Sequence, residues 1–527
     1  MLKLRLCFRV MIWQPFAFYI LPFSVNPSKS PFHPPIRKLL ILKLTSSFFF
    51  FMKIRTTLLI ILSIILPLMS NAQVFDSSTK ATTAQTTYGK VSGYIERGVY
   101  TYKGIPYAKA ERFMTAQRPD AWTGIRSSRH WGPVCPQARN TGWRNDQTAF
   151  FYQWNDGFQS EDCLRLNIWT KGLNDGKKRP VLFWLHGGGY TSGNGQEHPG
   201  YDGRNLADKG DVVVVTINHR LNVLGFLDLS SFGDKYKGSA NVGMTDIVAA
   251  LQWVKENIAY FGGDPNCVTI FGQSGGGGKV STLLCMPSAQ GLFHRAMIMS
   301  GSFLGSTPQK EAREVGELTA WYLGLTSQTI DSIQHIPYER LLEASNKAFR
   351  EVSQRHRDKK IGHGIRLGWG PVNDNDIMPG IFENGSERIS HKIPLLIGST
   401  LNEFSTPNID ERVRPAVIQQ ATLRSQPGDA PVYVYLSAYQ VPTMDGNNHA
   451  CHNSDIPFFF NNVLKSASMT GATKEGIALG DKMSSALINF ARTGNPNAKG
   501  LPNWPIFTPN TKATMRFDAP KCEVIYK

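Results

Sequence analysis

The sequence predicts an α/β protein whose mostly parallel central sheet is covered by helices on both faces. Short apolar runs rich in β-branched residues lie at 164–169, 180–185, 212–217, 268–271, 296–299, 394–397 and 432–436, each bounded by turn residues, as buried strands are. Helical periodicities fall between them, most clearly over 241–260 and 310–323. Strands that are apolar throughout are buried on both faces, an arrangement that belongs to parallel sheets with helical crossovers. Size agrees. A chain of 527 residues with 41% apolar and 18% charged content can bury a large core, and is neither disordered nor a disulfide-held miniprotein.

The N-terminus divides into three stretches. Residues 1–51 contain Pro-broken apolar pieces without helical or strand periodicity, and are expected to be an upstream extension, with translation starting at Met52. Residues 52–72 resemble a secretory signal: Met52-Lys53-Ile54-Arg55 is basic, 58–69 is almost wholly apolar, and Ser70-Asn71-Ala72 supplies small residues before Gln73. The apolar run is short for a bilayer span, so cleavage near Ala72/Gln73 and a secreted or periplasmic product are expected, without a stable membrane anchor. Residues 73–85 are rich in Thr, Ser and Ala and read as a flexible lead-in. From there no linker, repeat or low-complexity block interrupts the chain, so 86–527 is expected as one domain.

The net charge of +17 does not indicate a nucleic-acid partner. Nine Lys/Arg and no acidic residue fall in 1–72, and the remainder carries +8 without a long basic run. The densest cluster there, Arg355-His356-Arg357-Asp358-Lys359-Lys360, reads as a solvated stretch of surface.

Two motifs carry chemistry. After the run at 268–271 comes Gly272-Gln273-Ser274-Gly275-Gly276, followed by a helical pattern from Lys279. Gly-x-Ser-x-Gly between strand and helix lifts a Ser hydroxyl clear of the sheet, and the flanking glycines let neighbouring backbones pass. After the run at 180–185 comes His186-Gly187-Gly188-Gly189-Tyr190. Consecutive glycines let backbone N–H groups converge, and those of Gly188 and Gly189, with that of Gly275, could hold a tetrahedral oxyanion.

With both motifs in this order the chain resembles the type-B carboxylesterases, a branch of the α/β-hydrolases that includes cholinesterases and bacterial para-nitrobenzyl esterases. The resemblance runs from Phe261-Gly262-Gly263-Asp264-Pro265-Asn266-Cys267 through the Ser274 motif. It includes Glu161-Asp162-Cys163-Leu164-Arg165-Leu166-Asn167-Ile168, Lys103-Gly104-Ile105-Pro106-Tyr107-Ala108, Asn218-His219-Arg220-Leu221 and Arg492-Thr493-Gly494-Asn495-Pro496. It implies an α/β-hydrolase fold and a serine esterase acting on small carboxylic esters. Ser274 would be the nucleophile, Glu403 in Gly398-Ser399-Thr400-Leu401-Asn402-Glu403-Phe404 the acid, and His452 the base. His449 is a rival base, but only His452 precedes the Asp455-Ile456-Pro457-Phe458 segment that the family places after its base. No metal or organic cofactor is expected, and the cysteine spacings form no zinc pattern.

The resemblance also pairs Cys135 with Cys163 as a disulfide, closing a loop that holds Trp143, Phe150, Phe151, Tyr152 and Trp154 and that in the family lies at the pocket mouth. Gln273 stands where many members have Glu, Gly275 where Ala is common, and Tyr190 where Phe is common. The stretch from Glu403 to His452 is several tens of residues shorter than usual, which implies a reduced lid. Two other readings stay open: a lipase or aryl/feruloyl esterase on the same fold, and a catalytically impaired binding protein.

Overall fold

The computed structural model describes residue 56 and residues 74–138, 146–356, 368–380, 382, 385–404, 412–442 and 448–526. The chain forms two compact units, Met1–Gln73 and Val74–Lys527, and every described residue except Thr56 belongs to the second. The expected extension, signal segment and cleavage position lie outside the described residues, as does Trp143.

One twelve-stranded sheet organises the second unit. In chain order its strands are β1 (Phe75–Asp76), β2 (Tyr94–Glu96), β3 (Val99–Pro106), β4 (Arg165–Thr170), β5 (Arg179–Leu185), β6 (Val213–Ile217), β7 (Gly263–Gln273), β8 (Arg295–Met299), β9 (Leu395–Thr400), β10 (Val432–Ser437), β11 (Ala513–Phe517) and β12 (Glu523–Tyr526). Across the sheet they run β1-β2-β3-β4-β6-β5-β7-β8-β9-β10-β11-β12. From β6 to β11 every neighbouring pair is parallel. Antiparallel pairs close both edges. The seven apolar runs of the sequence are β4 through β10.

Period-two alternation explains why both faces are covered. On β5, Val181, Phe183 and Leu185 join one core, while Leu182 and Trp184 join the other. The first core is roofed by α1 (Val242–Asn257), α2 (Gly275–Leu283), α3 (Gln309–Tyr322), α4 (Tyr338–Arg355) and α5 (Val413–Leu423). The second is covered by α6 (Lys474–Thr493), which buries Leu479, Met483, Leu487 and Phe490 along one face. Thr473 caps its first turn by accepting from the Gly476 N–H, and Gly494 at φ 78° ends it.

Residues 74–85 are more ordered than the composition of the stretch implies. Phe75–Asp76 pairs with Tyr94–Glu96, and Thr83–Thr86 pairs with Gly89–Ser92. Thr82, Ala84 and Thr86 are buried, and Tyr102 donates to the Thr82 carbonyl at 2.9 Å. Within Thr83–Thr86 the buried Ala84 and Thr86 alternate with more exposed neighbours, a strand signal that a Thr/Ser/Ala-rich composition hides.

Two features prepare the site. Arg220, just after β6, forms a buried two-pronged ion pair with Asp246 of α1, Nε–Oδ2 2.8 Å and Nη2–Oδ1 2.6 Å. It fixes the turn whose Asn222 N–H donates to the Tyr190 carbonyl at 2.8 Å. Between β9 and β10 the described residues contain one helix, α5.

Candidate active site

Every sequence-expected site residue lies past the C-terminal end of a parallel strand or in a loop that returns to those ends. Ser274 follows β7, Gly188 and Gly189 follow β5, and Glu403 follows β9. Pairing of Gly272 with Leu185 and of Gln273 with Met299 brings these ends level. Open α/β sheets bind ligands at such an edge.

Ser274 occupies a strained turn, φ 56° and ψ −123°, a conformation rare for a side chain bearing a Cβ. The flanking glycines are required by contact. A Cβ on Gly276 would lie 2.0 Å from the Leu185 carbonyl oxygen, and one on Gly272 2.5 Å from the Gly276 carbonyl carbon. Ser274 is half-buried at the start of α2, whose N-terminus favours negative charge.

Glu403 and His452 come together. The fully buried Glu403 side chain turns Oε2 to His452 Nδ1 in a short contact. Its other oxygen accepts from Ser300 Oγ at 2.6 Å and from the Thr400 N–H at 2.8 Å. The loops run in parallel here, with His452 N–H donating to the Glu403 carbonyl at 3.2 Å and a bridge between Glu403 and Cys451. Tyr152 donates to the His452 carbonyl at 3.0 Å, and the exposed Phe404 ring lies 4.0 Å from the imidazole. His449, the rival base, is buried with Nδ1 unpartnered and pairs antiparallel with Val441.

The structure does not join Ser274 to His452. The Gln273 amide nitrogen lies 3.1 Å from His452 Nε2 and 3.4 Å from Nδ1, so it packs against the ring and does not lie along the Nε2 lone pair. With Nδ1–H given to Glu403, Nε2 carries the lone pair that could accept a proton. Catalytic hydrogen bonds are often loose before substrate binds.

The glycine loop is braced from behind. The His186 carbonyl accepts from Lys279 Nζ at 3.0 Å, the Gly187 carbonyl from the His186 ring at 2.9 Å, and the Gly188 carbonyl from the Ser192 N–H at 3.1 Å. In a trans peptide the N–H points opposite the C=O, so these bonds also aim the N–H groups of Gly187, Gly188 and Gly189. A Cβ on Gly275 would fall 2.1 Å from the Gly189 oxygen, so the two donor-bearing segments touch.

Buried titratable groups surround this edge, and sequence reasoning missed most of them. Burial pushes Glu197 up to about 7 against hydrogen bonds from Tyr201 and the Asn194 N–H, and pushes His198 down to about 3. Burial also raises Asp455 to about 7, with Tyr435 donating to it at 2.8 Å. Lys279 is driven down to about 7 by burial, opposed by the charge of Glu197. A lone Lys after four glycines, inside an apolar helical pattern, was the one available signal for Lys279.

Cys135 and Cys163 lie side by side as buried thiols, and the Leu221 N–H donates to Cys135 Sγ at 3.2 Å. A hydrogen bond to Cys135, then burial, raises the Cys163 thiol well above its ordinary range.

Comparison with known proteins places this geometry. The Carboxylesterase family profile matches residues 80–414 and 413–527. The chain belongs to that family. The two matches meet at the start of α5, inside the short stretch between Glu403 and His452. The para-nitrobenzyl esterase of Bacillus subtilis (strain 168) is 35% identical over 485 residues, covering 82% of this chain and 94% of that one. Phenmedipham hydrolase of Pseudarthrobacter oxydans is 32% identical with the same coverage. Among solved structures, an esterase from Clostridium hathewayi that can hydrolyse aliphatic aromatic polyesters superposes with TM-score 0.75 at 35% identity, over 84% of this chain and 95% of that one. A Geobacillus stearothermophilus carboxylesterase gives 0.69 at 34%, over 84% and 97%. This carboxylesterase is therefore a carboxylic ester hydrolase of the α/β-hydrolase fold. Among its described residues no helix is long and apolar enough to cross a membrane.

Proposed function

We propose that this carboxylesterase is an exported serine esterase that works through an acyl-enzyme. Ser274 Oγ bonds to the ester carbonyl carbon as its proton passes to His452 Nε2, and the carbonyl π pair becomes an oxyanion facing the N–H groups of Gly188, Gly189 and Gly275. The tetrahedral adduct collapses, the alcohol leaves with the proton from His452, and the acyl group stays on Ser274. Water repeats the sequence in reverse and frees the acid. Glu403 holds His452 with its lone pair toward Ser274 and stabilises the imidazolium.

The observation that carries this reading is the Glu403–His452 pair, with the carboxylate held by Ser300 and Thr400 beside the strained Ser274 turn. The test uses p-nitrophenyl acetate and butyrate with the 73–527 chain and its Ser274→Ala variant. Burst release of nitrophenol and turnover in the first, both lost in a folded second, are expected. Equal turnover in both would refute the assignment. No turnover in a folded 73–527 chain would favour the binding-protein reading.

Among ester classes, aryl esters are favoured by one observation. Phe404 is 61% exposed beside His452, and Phe150 and Phe158 are exposed on the segment that carries Tyr152 and Trp154. Exposed aromatic rings can stack on aromatic substrates. The relatives named for para-nitrobenzyl esters and for aliphatic aromatic polyesters fit this choice. A panel of aryl and alkyl esters of matched acyl length tests it, and a preference for long alkyl chains would favour the lipase reading.

Export accounts for the paired thiols. In an oxidising compartment Cys135 and Cys163 would form a disulfide, worth about 3–4 kcal/mol for a loop of this length in the chain-entropy model. Mass spectrometry of secreted protein would find the 135–163 cross-link and an N-terminus at Gln73. Free thiols at both positions would refute the bond.

A further inference from the structure

The mechanism above leaves one buried ammonium unused. Lys279 is fully buried on α2, little more than a turn beyond Ser274. Its Nζ donates to the His186 carbonyl at 3.0 Å and lies 5.7 Å from the centre of the Tyr190 ring. His186 and Tyr190 are the two ends of the glycine run, so one side chain touches the loop at both. The groups facing it are the His186 and His219 rings, stacked 5.2 Å apart, and the carboxylate of Glu197, which accepts from Tyr201 and the Asn194 N–H.

A lysine is among the residues least often found fully buried, and desolvating its charge opposes folding. A methionine would fill the same space without that cost. Three consecutive glycines, by contrast, have the greatest backbone freedom, and a loop of them needs an external brace to hold its donors in one direction. Lys279 supplies the first link of that brace. It holds the His186 carbonyl, His186 in turn donates from its ring to the Gly187 carbonyl, and that bond sets the Gly188 N–H on the opposite side of the peptide.

We propose that Lys279 is the positioning residue of the oxyanion loop, fixing the His186–Gly187 peptide so that the glycine N–H groups are aimed before substrate arrives. The proposal rests on the serine-esterase reading. It makes Lys279 a contributor to transition-state binding and not to substrate binding, because the oxyanion exists only after attack.

The test compares the 73–527 chain with Lys279→Met, which keeps the length and removes charge and donor. The readouts are kcat and KM for p-nitrophenyl acetate, Ki for an aryl trifluoromethyl ketone that adds to Ser274 as a hemiketal oxyanion, and Tm. A kcat lower by roughly 10- to 100-fold is expected, the range set by a donor displaced by about 1 Å. KM should stay within about twofold, Ki should rise by the factor by which kcat/KM falls, and Tm should hold or rise because a desolvated charge is gone. Wild-type kcat and Ki in Lys279→Met would overturn the proposal. So would a loss confined to KM, or a kcat loss without a matching rise in Ki. Should Lys279→Met not fold, Lys279→Gln decides on the same readouts, since Gln is too short to brace the carbonyl. Turnover that survives in Ser274→Ala would overturn the esterase reading itself, and is scored separately.

Discussion

Replacing the Glu403 carboxylate by an amide should cost this carboxylesterase about 10⁴-fold in kcat while leaving its fold intact. The geometry sets the reason. Glu403 Oε1 accepts from Ser300 Oγ at 2.6 Å and from the Thr400 N–H at 2.8 Å. A backbone N–H can only donate, so in Glu403→Gln the amide oxygen must stay at that position. The amide NH₂ then faces His452 Nδ1 where Oε2 was. Two donors cannot share that contact, so the imidazole must shift its proton to Nε2 and accept at Nδ1. Nε2 is the atom that should take the Ser274 proton, and it no longer has a lone pair. Triads in which the orienting carboxylate became an amide lose about 10⁴ in kcat, which at 1.36 kcal/mol per tenfold is about 5.5 kcal/mol of barrier. The assay is steady-state hydrolysis of p-nitrophenyl butyrate, with thermal unfolding measured alongside. Both Oε1 hydrogen bonds survive the substitution, so Tm should move little. A kcat within tenfold of wild type in a folded Glu403→Gln protein would refute the reasoning, because it would mean that His452 is oriented by something other than Glu403.

Two further outcomes are expected. Asp246→Ala leaves the Arg220 guanidinium buried without its partner, so urea unfolding should lose about 3–5 kcal/mol, and a loss under about 1 kcal/mol would contradict the buried-pair argument. Burial raises both Glu197 and Asp455 to about 7, so between pH 5 and 7 the folded chain keeps protons that the unfolded chain has released, and stability falls as pH rises. Lys279, lowered to about 7, has the opposite sign and adds stability from pH 7 upward. Glu197→Gln should flatten the fall between pH 5 and 7 measured by urea unfolding, and an unchanged slope would exclude Glu197 as a source.

The strands that hold the site were legible because each is apolar on both faces. Runs such as Val181-Leu182-Phe183-Trp184-Leu185 and Val213-Val214-Val215 leave no solvated side, and only a sheet with helices on both faces accepts them. The edge strands and the 73–85 pairing were not, since a short strand with small alternating residues looks like a loop in composition. The helix α6 escaped for a similar reason: its buried stripe is diluted by Gly476, Gly480 and Ser484.

The same division runs through the site. Sequence by itself determined that Ser274 stands on a tight strand-to-helix turn and that a triple-glycine loop follows a neighbouring strand, because both depend on local chain chemistry: no residue with a Cβ fits at Gly272 or Gly276. It could not determine what His452, Gln273 and Lys279 touch. Their contacts join positions that are distant along the chain and meet only where parallel strands end at one edge of the sheet. Tertiary structure alone decided that Glu403 reaches His452, that Gln273 packs against the imidazole, and that Lys279 turns inward to the back of the glycine loop. The direction and burial of a side chain are set by the elements packed around it, and no spacing along the chain records them.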